Sequence, residues 1–425
     1  MTGSAVPLLA KAWAGFGTAI APLLRVHLRR RASRGKEIPA RLPERWGEDA
    51  TPRPAGPLLW LHAASVGETT SLLPVLTALS GVTVLITTGT VTAAAVLARR
   101  LPELGLTDRV LHRFVPLDVP GWAARFLDHW RPDAAGFVES ELWPNLLAAC
   151  RTRFIPLMLI NARISAGSFT AWRRAPGFAR WILSSFALIH ARGEEDAARL
   201  RALGVAAPLV PGDLKLAAEP LPVDAAELDR LRTRLAGRPI WVAASTHPGE
   251  EAEIAAVHRA LAPTHPGLLT IIAPRHPERG AELAAALDAP RRGTGAPPPD
   301  QAGIWIADTM GELGLWYRLA QLAFVGRSLL PPGGGQNPLE PARLGCPIIV
   351  GPYTSNFTDA VALLRGAGAI TEITETTALT AAVAAGLADT TARDSAAERG
   401  LAAVQLHADL PQRTADALRG LMRGH

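Results

Sequence analysis

The chain has 425 residues, with 44 Lys+Arg, 38 Asp+Glu and a formal net charge of +6 at pH 7. A composition of 48% hydrophobic and 19% charged residues is typical of a globular protein and excludes a disordered chain. At roughly 150 residues per domain, this length predicts two large domains or three small ones. Lysine occurs only as Lys11, Lys36 and Lys215, so a lysine in the body of this arginine-rich chain is unusual.

Cysteine and histidine usage argues against a disulfide scaffold and against a metal site. Cys150 and Cys346 are far apart, and neither belongs to a zinc-type spacing. The 11 histidines form no H-E-x-x-H motif or comparable cluster. We therefore expect a reduced protein that faces the cytoplasm and needs no metal or other cofactor.

The N-terminal segment is apolar over residues 5–24 and strongly basic over residues 25–36. A signal peptide has its positive charges before the apolar stretch, whereas here they follow it. We expect residues 1–45 to be a membrane anchor with a basic flank, either a short span or a helix in the interface that faces anionic headgroups. The alternative is an apolar helix packed on the protein body. No aromatic residues or reader motif accompany the arginines, so we expect no nucleic-acid partner.

From residue 56 onward the pattern is repeatedly strand, turn and helix, which predicts an α/β protein with parallel sheets covered on both faces. The alternation is interrupted once, by a proline-rich segment at 211–224. We predict an N-terminal Rossmann-like domain over 46–212, a linker over 213–224 and a second Rossmann-like domain over 225–425, whose last helix could pack back on the first. Two doubly wound domains facing a cleft would bind ligands beyond the carboxyl ends of their strands.

The first motif at a strand end is HAASVGE, residues 62–68. Glu68 lies three residues after Ser65, which is the spacing of a helix-capping box. Gly67 would allow a ligand close access, and a carboxylate at this edge could remove a proton from a hydroxyl group. Spacing alone leaves both interpretations of Glu68 open.

Further polar residues follow later strands of the first half. Glu139 and Glu141 flank Ser140 directly after an apolar strand, and they either act on a ligand or favour the start of a helix. Arg163 could hold an anion or pair with one of these glutamates. Lys215 could place a compact charge in the cleft, or could be a solvated residue of the linker.

The second half offers four strand ends, at 244–251, 273–279, 308–313 and 333–345. Arg275 suits a phosphate or carboxylate, whereas His276 before a proline could be part of a turn. The sequence GGGQNPLEPARLG predicts a glycine-rich loop and a helix that begins near Asn337-Pro338, where backbone N–H groups would bind an anion. Glu340 one turn later could accept hydrogen bonds from a ribose. This combination predicts a nucleotide-sugar site.

The motifs SVGE, ESELWPN, NARIS, GDLK, STHPGEE, PRHPER, DTMGEL, GGQNPLEP and GP-x-x-x-NF occur in this order over nearly the whole chain. The set resembles the 3-deoxy-D-manno-octulosonic acid (Kdo) transferases of lipopolysaccharide assembly. This resemblance implies a GT-B fold of two Rossmann-like domains, CMP-Kdo as donor and a lipid A precursor of the lipid IVA type as acceptor. It also implies inverting, metal-independent transfer on the cytoplasmic side of the inner membrane.

The resemblance also assigns roles by motif position. Glu68 resembles the general base, and Glu139 and Lys215 resemble residues that stabilise the transition state. The substrate-binding residues that it implies are Ser65, Gly67, Arg163, Ser245, Thr246, Arg275, His276, Met310, Gly311, Glu312, Asn337, Pro338, Leu339 and Glu340. The chain departs from the family pattern at Asp213, Arg327, Gln336 and Tyr353.

Two other classes of function share some of these features. A nucleotide-sugar epimerase, or a transferase that uses a UDP-sugar, could have the same architecture. A non-catalytic membrane scaffold could also have kept the fold, although the presence of Glu68, Glu139 and Lys215 together argues against it.

Overall fold

The computed structural model describes residues 6–217 and 219–423. These residues form two compact units. The first contains residues 6–217 and 407–423, and the second contains residues 219–406. The boundary falls inside the predicted linker, and the last segment of the chain belongs to the first unit.

The first unit is built on a parallel sheet of six strands within the described residues, in the order β3-β2-β1-β4-β5-β6. Strands that follow one another in the chain are joined by helices, which is the Rossmann arrangement expected for a doubly wound sheet. The strands are β1 (Leu58–Ala63), β2 (Thr83–Thr88), β3 (Val110–Phe114), β4 (Ala134–Val138), β5 (Leu157–Ala162) and β6 (Phe186–Ala191). The helices are α1 (Leu8–Ala32), α2 (Val66–Ala78), α3 (Val91–Glu103), α4 (Pro120–Trp130), α5 (Pro144–Thr152), α6 (Ala166–Arg173), α7 (Pro176–Leu183) and α8 (Glu194–Ala202), with 3₁₀ segments at Pro39–Trp46 and Leu214–Ala217.

The second unit repeats this architecture, with the strand order β12-β11-β10-β7-β8-β9 among its described residues. Its strands are β7 (Ile240–Thr246), β8 (Leu269–Pro274), β9 (Gly303–Ile306), β10 (Leu322–Val325), β11 (Ile348–Val350) and β12 (Ile370–Glu372). Its helices are α9 (Ala225–Arg234), α10 (Glu250–Leu261), α11 (Gly280–Leu287), α12 (Leu313–Leu319), α13 (Leu339–Ala342), α14 (Thr358–Gly366), α15 (Ala378–Ala388) and α16 (Thr390–Gln405), with 3₁₀ segments at Pro277–Arg279, Arg292–Thr294 and Ser355–Phe357. The predicted α/β class with parallel sheets is confirmed.

Each sheet is buried on both faces, as its nearly continuous apolar strands require. In the first unit, Trp60 on β1 packs edge-on against Phe137 of the neighbouring β4 and also contacts Phe126 of α4. The final helix, α17 (Leu410–Arg423), covers the other face, where it packs against α2 and β4. These layers hold the carboxyl ends of the strands in fixed positions.

Helix α1 packs on the first unit but leaves much of its apolar surface exposed. It contacts α4, α5 and the 3₁₀ segment at Pro39–Trp46, and the indole of Trp13 donates a hydrogen bond to Asp118 (2.7 Å). Leu9, Phe16 and Leu23 are exposed on its outer side. None of the helices in residues 6–217 and 219–423 combines the length and the apolar character needed to cross a bilayer.

Candidate active site

The predicted site residues of the first unit lie at the carboxyl edge of its sheet, because each follows a parallel strand. Ser65, Gly67 and Glu68 follow β1, and Glu139 follows β4, which is hydrogen-bonded to β1. Arg163 is exposed directly after β5, and its backbone N–H faces the carbonyl of Glu139 (3.4 Å). The strand order therefore brings together residues that are about 70 to 100 positions apart in the sequence.

Glu68 is buried and forms the predicted capping box. Its Oε1 accepts a hydrogen bond from the Ser65 hydroxyl (2.7 Å), its Oε2 accepts one from the Ala64 N–H (2.8 Å), and its own N–H donates to Ser65 Oγ (3.3 Å). A carboxylate offers about four lone-pair positions, so these two donors leave room for a further hydroxyl. Burial raises the pKa of Glu68, and the charges of Glu141 and Glu139 add to this, while the Ser65 and Ala64 hydrogen bonds oppose it.

Glu139 and Lys215 form an ion pair, with 2.5 Å between Nζ of Lys215 and Oε1 of Glu139. Glu139 is buried, whereas the lysine side chain is 41% exposed. Lys215 therefore belongs to the site at the sheet edge and is not merely a solvated linker residue. An ammonium held against a carboxylate is fixed in position and still accessible to an anionic ligand from the solvent side.

Asn161 and Asp213 hold Lys215 in place, and Asn161 was missed by the sequence analysis. The Asn161 amide donates to Asp213 Oδ1 (2.9 Å), and its oxygen accepts the N–H of Leu214 (3.0 Å). The same Asp213 oxygen accepts the backbone N–H of Lys215 (2.9 Å). Asp213 thus fixes the short 3₁₀ turn that carries the lysine. A polar residue at the end of a buried strand was the available signal for Asn161.

The second unit gathers cations at the carboxyl edge of its own sheet. Arg275 and His276 are exposed after β8, and the His276 ring lies edge-on to that of His247, 5.9 Å between centroids. Burial lowers the pKa of His247, and the positive charges of Arg327, His276 and Arg275 lower it further. Gln336 contacts Nε2 of His247 (3.1 Å). This concentration of positive charge suits an anionic ligand.

The glycine-rich loop differs from its prediction. The helix that follows it, α13, has only four residues, so it contributes little helix dipole. Two of the loop N–H groups are already used, since Gly335 donates to the carbonyl of Arg327 (2.8 Å) and Gln336 to that of Gly326 (3.1 Å). The anion site expected at this loop stays a prediction, with a shorter helix and with these two N–H groups not available to a ligand.

The remaining predicted residues of the second unit lie around the same edge, but several of their side chains have structural partners. Glu312 pairs with Arg292 (2.7 Å), and the Thr246 hydroxyl donates to Glu251 (2.9 Å). Burial raises the pKa of Glu340, while a hydrogen bond from Asn337 and nearby arginines oppose it. The others are exposed Met310, Gly311 with φ +84°, and buried Ser245, Pro338 and Leu339.

Backbone strain marks these sheet edges as well. Glu139 (φ 57°), Asn161 (φ 55°), Ser245 (φ 58°) and Arg327 (φ 57°) adopt left-handed conformations at or just beyond the ends of β4, β5, β7 and β10. Such conformations cost about 1–3 kcal/mol for most residues other than glycine and cluster at functional sites. No group of three or more His, Cys, Asp or Glu side chains within the described residues is arranged to hold a metal ion.

Comparisons with known proteins agree with this architecture. Residues 40–218 match the family described as "3-Deoxy-D-manno-octulosonic-acid transferase (kdotransferase)". The chain is 36% identical to the 3-deoxy-D-manno-octulosonic acid transferase of Bordetella pertussis, over 94% of this chain and 96% of that protein. It is 37% identical to a probable mitochondrial 3-deoxy-D-manno-octulosonic acid transferase of Arabidopsis thaliana, over 82% of this chain and 80% of that protein.

A solved structure with a GT-B-like architecture supports the fold alone. The putative UDP-N-acetylglucosamine 2-epimerase of Listeria monocytogenes has a TM-score of 0.58 at 14% identity, over 87% of this chain and 98% of that one. The fold does not separate epimerases from transferases, but the similarity to the Bordetella protein extends over almost the full length of both chains. The chain therefore belongs to the 3-deoxy-D-manno-octulosonic acid transferase family and is a glycosyltransferase.

Proposed function

We propose that this protein transfers Kdo from CMP-Kdo to a lipid A precursor of the lipid IVA type, in lipopolysaccharide synthesis. The observation that carries the proposal is the group formed by Glu68, Glu139 and Lys215 at one sheet edge of a chain in this family. It contains a buried carboxylate beside a fixed carboxylate–ammonium pair. Such a group can remove a proton from a sugar hydroxyl and can compensate charge on the reacting centre.

The second unit supports an anionic donor. CMP-Kdo carries a phosphodiester and a sugar carboxylate, so its recognition needs more than one cation. Arg275 and Arg327 are both exposed near His247, and each guanidinium can bind a phosphate or carboxylate with two hydrogen bonds. The arginine at 327, where the family pattern often has glycine, adds a positive charge to this edge.

The proposed reaction is a single displacement with inversion. Glu68 accepts the proton of an acceptor hydroxyl as the oxygen attacks the anomeric carbon of Kdo. The bond from that carbon to the phosphate oxygen breaks, and CMP leaves with the electron pair. Glu139 stabilises positive charge that develops at the anomeric carbon, and Lys215 holds Glu139 in place and compensates negative charge nearby.

Transfer is tested by incubating the purified protein with CMP-Kdo and a tetra-acylated lipid A precursor and weighing the products by mass spectrometry. We expect mass gains in whole Kdo units. Glu68→Gln should lower turnover at least about 10²-fold and leave CMP binding intact. The control is Glu103→Gln, an equivalent change on the surface of α3. Normal turnover by Glu68→Gln, or thermal protection by UDP and not CMP, would contradict the proposal.

The proposed place of action is the cytoplasmic side of the inner membrane, with α1 lying in the interface. The support is the exposed series Leu9, Phe16 and Leu23 at helical spacing, with Arg29 and Arg30 exposed at the end of the same helix. Changing the three apolar residues to serine should abolish sedimentation with vesicles of phosphatidylethanolamine and phosphatidylglycerol. Phe154→Ser, an exposed aromatic elsewhere, is the control, and unchanged sedimentation of the triple variant would refute the attachment.

A further inference from the structure

His62 and the partly buried Glu141 form a second pair of titratable side chains beside Glu68, and the proposed mechanism does not use it. His62 lies on β1 and is fully buried. Its Nδ1 is 3.1 Å from the carbonyl oxygen of Thr87 and 3.0 Å from the Thr87 hydroxyl. Its Nε2 has no hydrogen-bond partner within the described residues and lies 3.5 Å from Oε2 of Glu141.

The contacts of Nδ1 fix where one proton of His62 sits. A carbonyl oxygen only accepts hydrogen bonds, so Nδ1 must be the donor to Thr87. The Thr87 hydroxyl is itself oriented by the indole of Trp60, which donates to it (2.9 Å). In a neutral His62, the lone pair of Nε2 would then face the carboxylate of Glu141. Two hydrogen-bond acceptors would lie against each other with no proton between them. A proton on Nε2 as well removes this conflict.

Glu141 is held as the partner of that cation. The indole of Trp143 donates to its Oε2 (2.7 Å), the oxygen that faces His62, while Oε1 accepts no hydrogen bond from the described part of the chain. Burial alone would raise the pKa of Glu141, but His62 and Trp143 outweigh this and lower it. With His62 protonated and Glu141 ionised, the pair carries no net charge.

From this geometry we infer that His62 and Glu141 are positioning residues for the transfer reaction: an imidazolium–carboxylate pair, with His62 fully buried and Glu141 partly buried, that limits the negative charge felt by Glu68. The inference rests on the proposed role of Glu68 as general base. Three carboxylates meet at this edge, and a cation faces each of two of them: Lys215 faces Glu139, and His62 faces Glu141. Glu68 has neutral donors as its hydrogen-bond partners.

Other charges around Glu68 are directed elsewhere. Arg419 of α17 donates to the carbonyl of Ala78, at the opposite end of α2. The charged residues of α3 lie near its C-terminal end, where Arg100 pairs with Glu103. Arg45 and Glu37 pair with each other (3.0 Å), and Arg45 also donates to the carbonyl of Thr88 at the end of β2. The charged groups on the elements packed around Glu68 include His62, Glu139, Glu141, Lys215, Arg413, Asp416, Arg419, Arg423, Arg99, Arg100, Glu103, Arg45 and Glu37.

The inference predicts unequal effects of two neutralising substitutions on the acid limb of the kcat/KM profile, which reports the protonation of Glu68. His62→Gln leaves Glu141 uncompensated, so the limb should move to higher pH by about half a unit or more. Glu141→Gln removes the anion, and His62 then keeps only one ring proton, so the pair stays uncharged and the limb should lie close to the wild-type position. The double variant should return close to the wild-type position, and Glu103→Gln should not move it.

The pH at which the acid limb lies does not depend on the fraction of a variant that is folded. The measurement therefore remains valid if His62→Gln is less stable than the wild type. The proton itself is measured without turnover, by ¹⁵N NMR of histidine-labelled protein, with His62 assigned by its absence in His62→Gln. We expect both ring nitrogens protonated at pH 7 in the wild type and one in Glu141→Gln. A neutral His62 in the wild type, or a His62→Gln variant that leaves the limb at the wild-type position, would overturn the inference. Failure of the wild type to transfer Kdo would refute the proposed function, and the NMR result would still decide the state of the pair.

Discussion

Gly67 offers a test of whether a ligand approaches the turn between β1 and α2. It is the second residue of α2, has an ordinary helical conformation, and a Cβ built there would meet no atom within 4 Å. Gly67→Ala therefore introduces no clash within the protein. Because alanine is the better helix former, we expect the free energy of unfolding to stay the same or rise by up to about 1 kcal/mol.

The same methyl group would lie where the proposed acceptor must approach Glu68, so kcat/KM should fall at least about 10-fold. Gly177→Ala is the matched control, since Gly177 is the second residue of α7 and also has open space around it. Thermal unfolding and steady-state kinetics of both variants make the comparison. Full activity in Gly67→Ala would show that nothing binds closely at this turn, and the capping role of Glu68 would then suffice to explain the motif.

Three further predictions follow from the contacts of charged groups. Lys215→Arg should reduce kcat and Lys215→Ala should reduce it about 10²-fold, since the compact ammonium at 2.5 Å from Glu139 is lost; wild-type kcat in both variants would refute the role. Arg327→Gly should weaken CMP binding, measured by calorimetry at low salt, about 10-fold. The free energy of unfolding should stay equal or rise by up to about 1 kcal/mol, because glycine tolerates φ 57°. Unchanged affinity for CMP would argue against a contact between Arg327 and the donor. Glu68 has a raised pKa in the folded protein, so ionising it as pH rises lowers the free energy of unfolding. In denaturant unfolding at pH 7, Glu68→Gln should therefore be at least as stable as the wild type, and its advantage should shrink towards pH 4. A clear loss of stability at pH 7 would contradict this.

The alternation of strands and helices could be predicted from the sequence, because most strands are predominantly apolar and are followed by a turn and a helix. The glycine-rich loop shows the limit of such patterns. Gly333 to Gly335 predicted a loop, and all three have positive φ. The helix that follows the loop has only four residues, because the chain turns away at Gly345 (φ 62°) after a single helical turn.

The pairing of charged side chains could not be predicted from the sequence, because it depends on the order of the strands in the sheet. Glu139 and Glu141 follow β4, which lies beside β1 although about 70 residues separate the two strands. Only that adjacency brings His62 to Glu141. Likewise, Asp213 is visible in the sequence only as a departure from the family pattern, whereas its carboxylate holds the backbone of the turn together with Asn161.

The capping role and the catalytic role of Glu68 are compatible, although the sequence presented them as alternatives. The two roles would exclude each other only if the capping hydrogen bonds occupied every lone pair of the carboxylate. Each carboxylate oxygen accepts just one capping hydrogen bond, so lone pairs remain for a substrate hydroxyl. The cap removes the rotational freedom of the side chain, so an attacking hydroxyl meets an acceptor that is already oriented. Burial and the neighbouring carboxylates raise the pKa of Glu68 and so make that acceptor more basic, while the donors from Ser65 and Ala64 limit the rise. A capping box at the carboxyl edge of a parallel sheet is therefore a way to fix a general base.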